Sequence, residues 1–275
     1  MGLADLHIHT ICSPDGTGTV RAVLKRAAEV GLDVIAITDH DEIRAALEGA
    51  DLAPSYGLHV IPGVEVSTAD GHLLALFVHR RPPVGLSASD TVRWVRDEGG
   101  LCIAPHPGQG RQSLSFQVLQ QVLKDPQIAP SLVGMEVFNA SAVHQKRNHI
   151  AMATVREMGW SLALIGNSDA HMVRMIGSAT TCFPGHTPEE LWKALISRNT
   201  EVAVAESLSR SALFLRWGAH LALRYIGWVT VNHHPDAPLR KAWIGLAALH
   251  TSRVARETSH GYPLGPKIPP AQFLG

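Results

Sequence analysis

Seven short apolar runs in the first 170 residues each stop at, or start from, a histidine or an acid. They are LADLHIH, VIAIT, LHVIPGVEVS, HLLALFVH, LCIAP, GMEVFN and SLALIG. VIAIT is apolar throughout, as in a parallel strand buried on both faces. The stretches between most of these runs carry helical periodicity. TVRAVLKRAAEVG sets Val20, Val23, Leu24, Ala27 and Ala28 on one stripe, with Thr19 to cap it and Gly31 to end it. Residues 42–52, SDTVRWVRDEGG, SFQVLQQVLK and residues 142–158 read as further helices. TPEELWKALIS opens with a capping-box pattern at Thr187 and Glu190, with Pro188 in the first turn. A break is expected in the third run near Pro62 and Gly63. Strands alternating with helices predict an α/β fold with a largely parallel sheet of seven or eight strands.

The positions of the polar residues sharpen this. His7 and His9 end the first run, TDHD (38–41) ends the second, and Glu65 lies in the third. His72 begins the fourth, His106 follows the fifth, Glu136 lies in the sixth, and Asp169 and His171 follow the seventh. In parallel α/β sheets the carboxyl ends of the strands form one rim, where sites are built. So many scattered positions meet only if the sheet curves around a common mouth, which predicts a barrel. His7 and His9 share one side of a strand by its period of two. Imidazoles and carboxylates gathered in this way are suitable ligands for zinc, manganese or iron. Asp39 and Asp41 are expected to orient histidine rings from behind. His59, His79 and His186 read as structural or solvent-facing, while His144 and His149 are weaker candidates for substrate contact.

The totals exclude several alternatives. Lysines plus arginines and aspartates plus glutamates both number 24 among 275 residues, so no net basic field favours a stable grip on duplex nucleic acid. Cys12, Cys102 and Cys182 are isolated and odd in number, which excludes a complete disulfide framework and fits a reducing, cytoplasmic setting. The amino terminus has no secretory-signal pattern. The chain divides into a domain over 1–205 and an extension over 206–275. Within the extension, Arg216, His220 and Arg224 fall four apart, predicting an amphipathic helix over 209–229. Packing of that helix against apolar protein surface is the leading expectation; membrane contact and a dimer surface are the alternatives. The closing GYPLGPKIPPAQFLG reads as irregular.

The ordered set DLHIHTICSPDG, AITDHD, IPGVEVS, GHLLAL, APHP, GMEVFNA and GNSDAH resembles the PHP family, the polymerase and histidinol phosphatase superfamily of metal-dependent phosphoesterases. The resemblance implies a distorted seven-stranded (β/α)7 barrel with two or three divalent ions, manganese, zinc or iron, at its carboxyl rim. It implies that His7, His9, Glu65 and Asp169 hold a first ion. Glu65 would bridge to a second ion held by His72 and His106, and Asp15, His40 and His171 would hold a third. The spacing from His9 to Asp15 varies within the family, so Asp15 is the loosest of these assignments.

The activity so implied is hydrolysis of phosphate esters by metal-activated water. The chain looks most like the short stand-alone enzymes that act on nucleoside 3′,5′-bisphosphates and on the 5′ ends of short RNA. It lacks their usual helical insertion. Histidinol-phosphate or another small-molecule phosphatase activity is the alternative; a different metallohydrolase reaction or a non-catalytic metal-binding module would be further departures. The expected partner is a small phosphorylated substrate, a nucleotide or a short single strand. Arg111 and Arg174, which follow PHPGQG and NSDAHMV, are the candidate phosphate clamps.

Overall fold

The computed structural model describes residues 1–205 except 109, 111 and 142–147, together with 218, 219 and 222. The helix expected over 209–229 therefore lies outside the described residues apart from those three positions. No helix among the described residues is long and apolar enough to cross a membrane.

Among the described residues, nine strands and six α-helices follow in chain order: β1 (Gly2–Ile8), α1 (Val20–Glu29), β2 (Val34–Ile37), α2 (Arg44–Leu52), β3 (His59–Thr68), β4 (Gly71–Leu76), α3 (Ala88–Asp97), β5 (Leu101–Ala104), α4 (Phe116–Lys124), β6 (Leu132–Asn139), α5 (Asn148–Met158), β7 (Ala163–Asn167), β8 (Ala179–Phe183), α6 (Pro188–Ser197) and β9 (Glu201–Val204). Local chemistry sets several boundaries. Thr19 accepts a hydrogen bond from the Ala22 amide at the start of α1, and Thr187 and Glu190 form a reciprocal capping box on α6.

The strands join in the order β7-β6-β5-β4-β3-β2-β1-β8-β9. All pairs from β1 to β3 and from β5 to β7 are parallel, whereas β4 runs antiparallel to both its neighbours. The sheet then closes on itself at one end. Ile8 bridges Ala170, the His9 amide donates to the Ala170 carbonyl at 2.9 Å, and the Ala170 amide donates to the His7 carbonyl at 3.2 Å. At the other end β8 pairs with β1, Gly2 opposite Phe183. The Thr181 hydroxyl accepts from the Gly166 amide and donates to its carbonyl, splicing β8 to β7. The result is a seven-stranded barrel distorted by β8 at its lower seam. β8 and β9 are additions that the apolar runs do not announce.

Two further differences from expectation have physical causes. β3 does not break at Pro62. Its lower part pairs with β2 as far as Ile37–Pro62, and its upper part pairs with β4 from Gly63–Leu76, so the proline falls where one partner gives way to the other. The run HLLALFVH ends as a strand at Leu76 because Phe77 takes a positive φ of 60°.

Inside the barrel, Ala4, Leu6, Ile61, Leu74, Ile103 and Ile165 pack with Leu191 and Leu195 of α6, which stops the lower end. The helices cover the outer face through Val23, Leu24, Val92, Leu119 and their strand partners. This packed lumen leaves only the upper rim for chemistry, and there every parallel strand ends.

Candidate metal centre and its family

A bulge sets the position of the first two histidines. β1 takes three steps from Asp5 to Ile8 while β2 takes two from Ile35 to Ile37. Ala4 and Leu6 therefore face the lumen, Ile8 faces the outer core, and His7 and His9 both turn inward above Leu6. His72 reaches the same rim from the beginning of its strand because β4 runs the other way. His106 and Asp169 sit just beyond β5 and β7 in the left-handed region, with φ of 30° and 49°. Such conformations are costly for residues other than glycine and persist where surroundings over-determine them. Gly71 has a φ of 131°, and a Cβ there would lie 2.5 Å from the backbone of Ser113. That close approach lets the His72 amide donate to the Gln112 carbonyl, and Ser113 Oγ lies 2.9 Å from His106 Nδ1.

All nine donors expected from the sequence come together here. Glu65 is at the centre. Its Oε2 lies 3.1 Å from His7 Nε2, 3.2 Å from His9 Nε2 and 3.2 Å from His40 Nδ1. Its Oε1 lies 2.8 Å from His72 Nδ1 and 3.1 Å from His106 Nε2. Asp169 Oδ1 lies 3.5 Å from His7 Nε2 and 3.4 Å from both His9 Nε2 and His171 Nδ1. Asp15 Oδ2 lies 3.1 Å from His171 Nε2 and 3.4 Å from His40 Nε2. Among the described residues, four groups of donors fall within metal-binding reach, each with its atoms within 4.8 Å of one another: His9–Asp15–His40–His171, His7–His106–Asp169, His7–His9–Glu65 and His40–Glu65–His72. The groupings overlap more than the family pattern implies, since His9 also joins the Asp15 group and His40 also joins the Glu65–His72 group.

The donors fit divalent cations. His9 Nε2 and His72 Nδ1 are buried and make no hydrogen bond, although carboxylate oxygens stand close by. Buried polar atoms left in that state are costly unless something else engages them. The charge balance agrees. Burial disfavours the charged form of His7, but the negative charges of Asp169, Glu65 and Glu136 outweigh it and hold the imidazole well above its usual range. Burial likewise opposes charge on His9, yet the adjoining Asp169 and Glu65 carboxylates push it up to about 10. Glu65 and Asp169 are held well below the ordinary carboxylate range, burial being overcome by the surrounding imidazoles, His7 first among them. Without ions, protons supply the positive charge this cage demands. The clusters accommodate one or more divalent ions in their place.

Two expectations need correction. Among the described residues, Asp39 and Asp41 form no hydrogen bond or ion pair with a histidine ring. Asp39 accepts from the Thr10 amide and hydroxyl, both at 2.6 Å, and from the Ser13 amide at 3.2 Å. It therefore holds the 10–13 turn, whose Ser13 Oγ lies 3.1 Å from His9 Nδ1. Asp41 accepts from the Ser67 amide. Arg174 is exposed in a short 3-10 turn just after His171, and His149 is exposed at the start of α5. Arg111 and His144 lie outside the described residues. The ring partner that had not been assigned a role is Glu136, 2.8 Å from His7 Nδ1. Asn139 and Asn167 at the ends of β6 and β7 also donate to Glu136. The detectable signal was a polar side chain in an otherwise apolar strand, inside β6 for Glu136 and at the strand end for Asn139 and Asn167.

A family model described as PHP domain matches residues 5–172, and one described as PHP-associated matches residues 147–200. The chain belongs to the PHP family. Several relatives extend the comparison. The uncharacterized protein MJ1587 of Methanocaldococcus jannaschii is 36% identical over 162 residues, covering 55% of this chain and 90% of its own. A phosphoribosyl 1,2-cyclic phosphate 1,2-diphosphodiesterase of Eggerthella lenta is 34% identical over 87 residues, 30% of this chain and 33% of that one. Among solved structures, a two-domain protein of Bacteroides vulgatus containing a predicted PHP-like metal-dependent phosphoesterase has the same fold. Its TM-score is 0.61 at 21% identity, over 79% of this chain and 69% of that one. Membership of the PHP family and the donor clusters together support metal-dependent hydrolysis of phosphate esters as the activity of this barrel.

Proposed function

We propose that this PHP protein is a phosphatase for small ribose-bearing phosphate esters: nucleotides, nucleoside bisphosphates or the 5′ ends of short single-stranded RNA. One observation carries the metal part of the reading. Glu65 turns one oxygen to His7, His9 and His40 and the other to His72 and His106, the arrangement expected of a carboxylate shared between two ions. His7, His9, Glu65 and Asp169 would hold one ion, Glu65, His72 and His106 a second, and Asp15, His40 and His171 a third, with manganese, zinc and iron all compatible with these ligands. When bound, such ions supply Lewis acidity toward the phosphoryl oxygens and a nucleophilic water at neutral pH.

The chain's own residues do the rest. The packed lumen below the rim keeps the donors rigid and closes the barrel to water from beneath. The turn held by Asp39 sets His9 and His40, because Ser13 Oγ lies beside the His9 ring and accepts from the His40 amide at 2.8 Å. Arg174, exposed and three residues after His171, is a candidate clamp for phosphate oxygens. The ribose phosphate named for the Eggerthella relative overlaps the sugar-phosphate part of a nucleotide, which supports the proposed substrate class. The balanced net charge favours a small substrate over a duplex.

The test is a phosphate-release screen of the purified chain supplied in turn with manganese, zinc and iron. The panel is a nucleoside monophosphate, a 3′,5′-bisphosphonucleoside, a short RNA strand, its matched duplex and histidinol phosphate. Turnover of the nucleotides or the single strand above the duplex is expected. No turnover with any metal, or fastest turnover of the duplex, would overturn the proposal.

A further inference from the structure

Glu136 stands outside the nine converging donors, yet it is only 1% exposed and accepts four hydrogen bonds. Its Oε1 accepts from His7 Nδ1 at 2.8 Å and from Asn167 Nδ2 at 2.8 Å. Its Oε2 accepts from the His106 backbone amide at 2.8 Å and from Asn139 Nδ2 at 2.9 Å. Burying a carboxylate is expensive unless its lone pairs are used, and an ordinary packing position in β6 is filled by an aliphatic or thioether side chain, as at Val133 and Met135.

We infer that Glu136 is a positioning residue that fixes His7 and His106 as metal donors; the inference rests on the functional reading above. An ionised carboxylate only accepts hydrogen bonds. The proton on that edge of the His7 ring is therefore on Nδ1, and Nε2 is the atom presented to Glu65 and Asp169. His7 belongs to two of the four donor groups, so its tautomer bears on more than one ion position. The second oxygen ties down the His106 amide and holds that residue at its φ of 30°, from which its ring reaches Glu65 Oε1. The two asparagines extend the same control. Asn139 also donates to Asp169 Oδ2 at 3.2 Å, and Asn167 Oδ1 accepts from the Leu6 amide at the bulge that turns His7 inward. One side chain thereby connects the ends of β1, β5, β6 and β7.

The test uses the full chain, wild type and Glu136→Gln, stripped with a chelator and reloaded with zinc. Zinc affinity is measured by competition with a chromophoric chelator. The His7 tautomer is read from long-range proton–nitrogen spectra of histidine-labelled protein. Replacement by glutamine puts an amide donor against His7 Nδ1 or the His106 amide. The expected results are zinc affinity weaker by about 10–100-fold in the variant and the Nδ1–H form of His7 in the loaded wild type. A role confined to packing would lower the melting temperature without weakening zinc binding. If the glutamine variant does not fold, Glu136→Asp is measured in the same way; its shorter side chain cannot span both histidines, and about 10-fold weaker zinc binding is expected. Unchanged zinc affinity in the variant that folds, or a wild-type His7 that carries its proton on Nε2 in the loaded protein, would overturn the inference. Wild-type protein that binds no zinc would defeat the functional reading itself, whereas wild-type binding matched by the variant defeats this inference alone.

Discussion

Asp15 Oδ2 lies 3.1 Å from His171 Nε2 across 156 residues of chain, so the loop after the first strand and the loop after the seventh share one group of donors. The hydroxyl of Thr17 donates to the His171 carbonyl at 2.8 Å and fixes the same junction. Asp15 also lies near His40 and, with His9, completes a four-donor group. Asp15→Asn is expected to remove the ion of that group while sparing those around Glu65. Activity should fall by at least the about 10–100-fold typical of losing a supporting partner at a metal site. Elemental analysis against protein concentration checks this: full metal content at wild-type rate would exclude Asp15 from the site.

Glu65→Gln should have a broader effect. Both carboxylate oxygens face imidazoles, five rings in all. Loss of the negative charge weakens binding at every position that shares it. Metal content and hydrolysis are expected to fall together, with the fold retained as judged by circular dichroism. Retention of both would remove the bridging role.

Arg174 calls for a kinetic measurement. It is exposed, so truncation should leave stability and metal content unchanged. If it grips a substrate phosphate in the ground state, Arg174→Ala raises KM by about 10-fold, equivalent to about 1.4 kcal/mol, with little change in kcat. A full steady-state comparison on a nucleotide substrate distinguishes this from an idle surface arginine, for which neither constant moves.

Much of the site was legible because strand ends are marked by a change from apolar to polar residues, and a parallel sheet brings those ends together. The same-side reading of His7 and His9 follows from strand period alone. Their inward direction does not, because it depends on the bulge between Asp5 and Ile8, which is a property of the pairing with β2. His72 at the head of its strand makes sense only once β4 is known to run in reverse. β8 was hidden because ATTCF has no clean alternation and pairs with only three residues of β1. Asp39, expected behind a histidine ring, instead meets the amide and hydroxyl of Thr10, which the fold brings to it from 29 residues away.

The barrel floor allows stability to be separated from chemistry. Leu195 of α6 is fully buried in the lumen with Leu6, Ile103 and Phe183, far down the strands from the donor residues at their upper ends. Leu195→Ala deletes three buried carbons where a packed barrel cannot readily collapse. A loss of about 2–5 kcal/mol in unfolding free energy is expected, with metal stoichiometry unchanged at temperatures where the variant is folded. Denaturant titration gives the first quantity and elemental analysis the second. A stability loss accompanied by metal loss in the folded protein would mean that α6 supports the rim directly.

Metal-free protein should lose stability as pH rises above neutrality, and bound metal should offset more of that loss. In the metal-free cage, His9 is raised from 6.5 to about 10 and His7 lies well above its usual value. A group raised on folding contributes stability that is fully present below its unfolded pKa and is lost as pH rises through its folded one. Glu65 and Asp169 lie well below their usual 4.5 and 3.8, so their contribution is present above those values and is lost as pH falls through the folded ones. Stripped protein should therefore be most stable between about pH 5 and 6.5 and weaken steadily toward pH 10. Bound ions replace the imidazole protons, so their stabilising effect grows as protons become scarce. The gap in melting temperature between manganese-loaded and chelator-stripped protein should widen as pH rises from about 6 to 8. Parallel melting curves at fixed ionic strength measure both trends. A stripped protein that gains stability over that interval, or a gap that narrows, would mean that the imidazole–carboxylate cage is not the element that exchanges protons for metal.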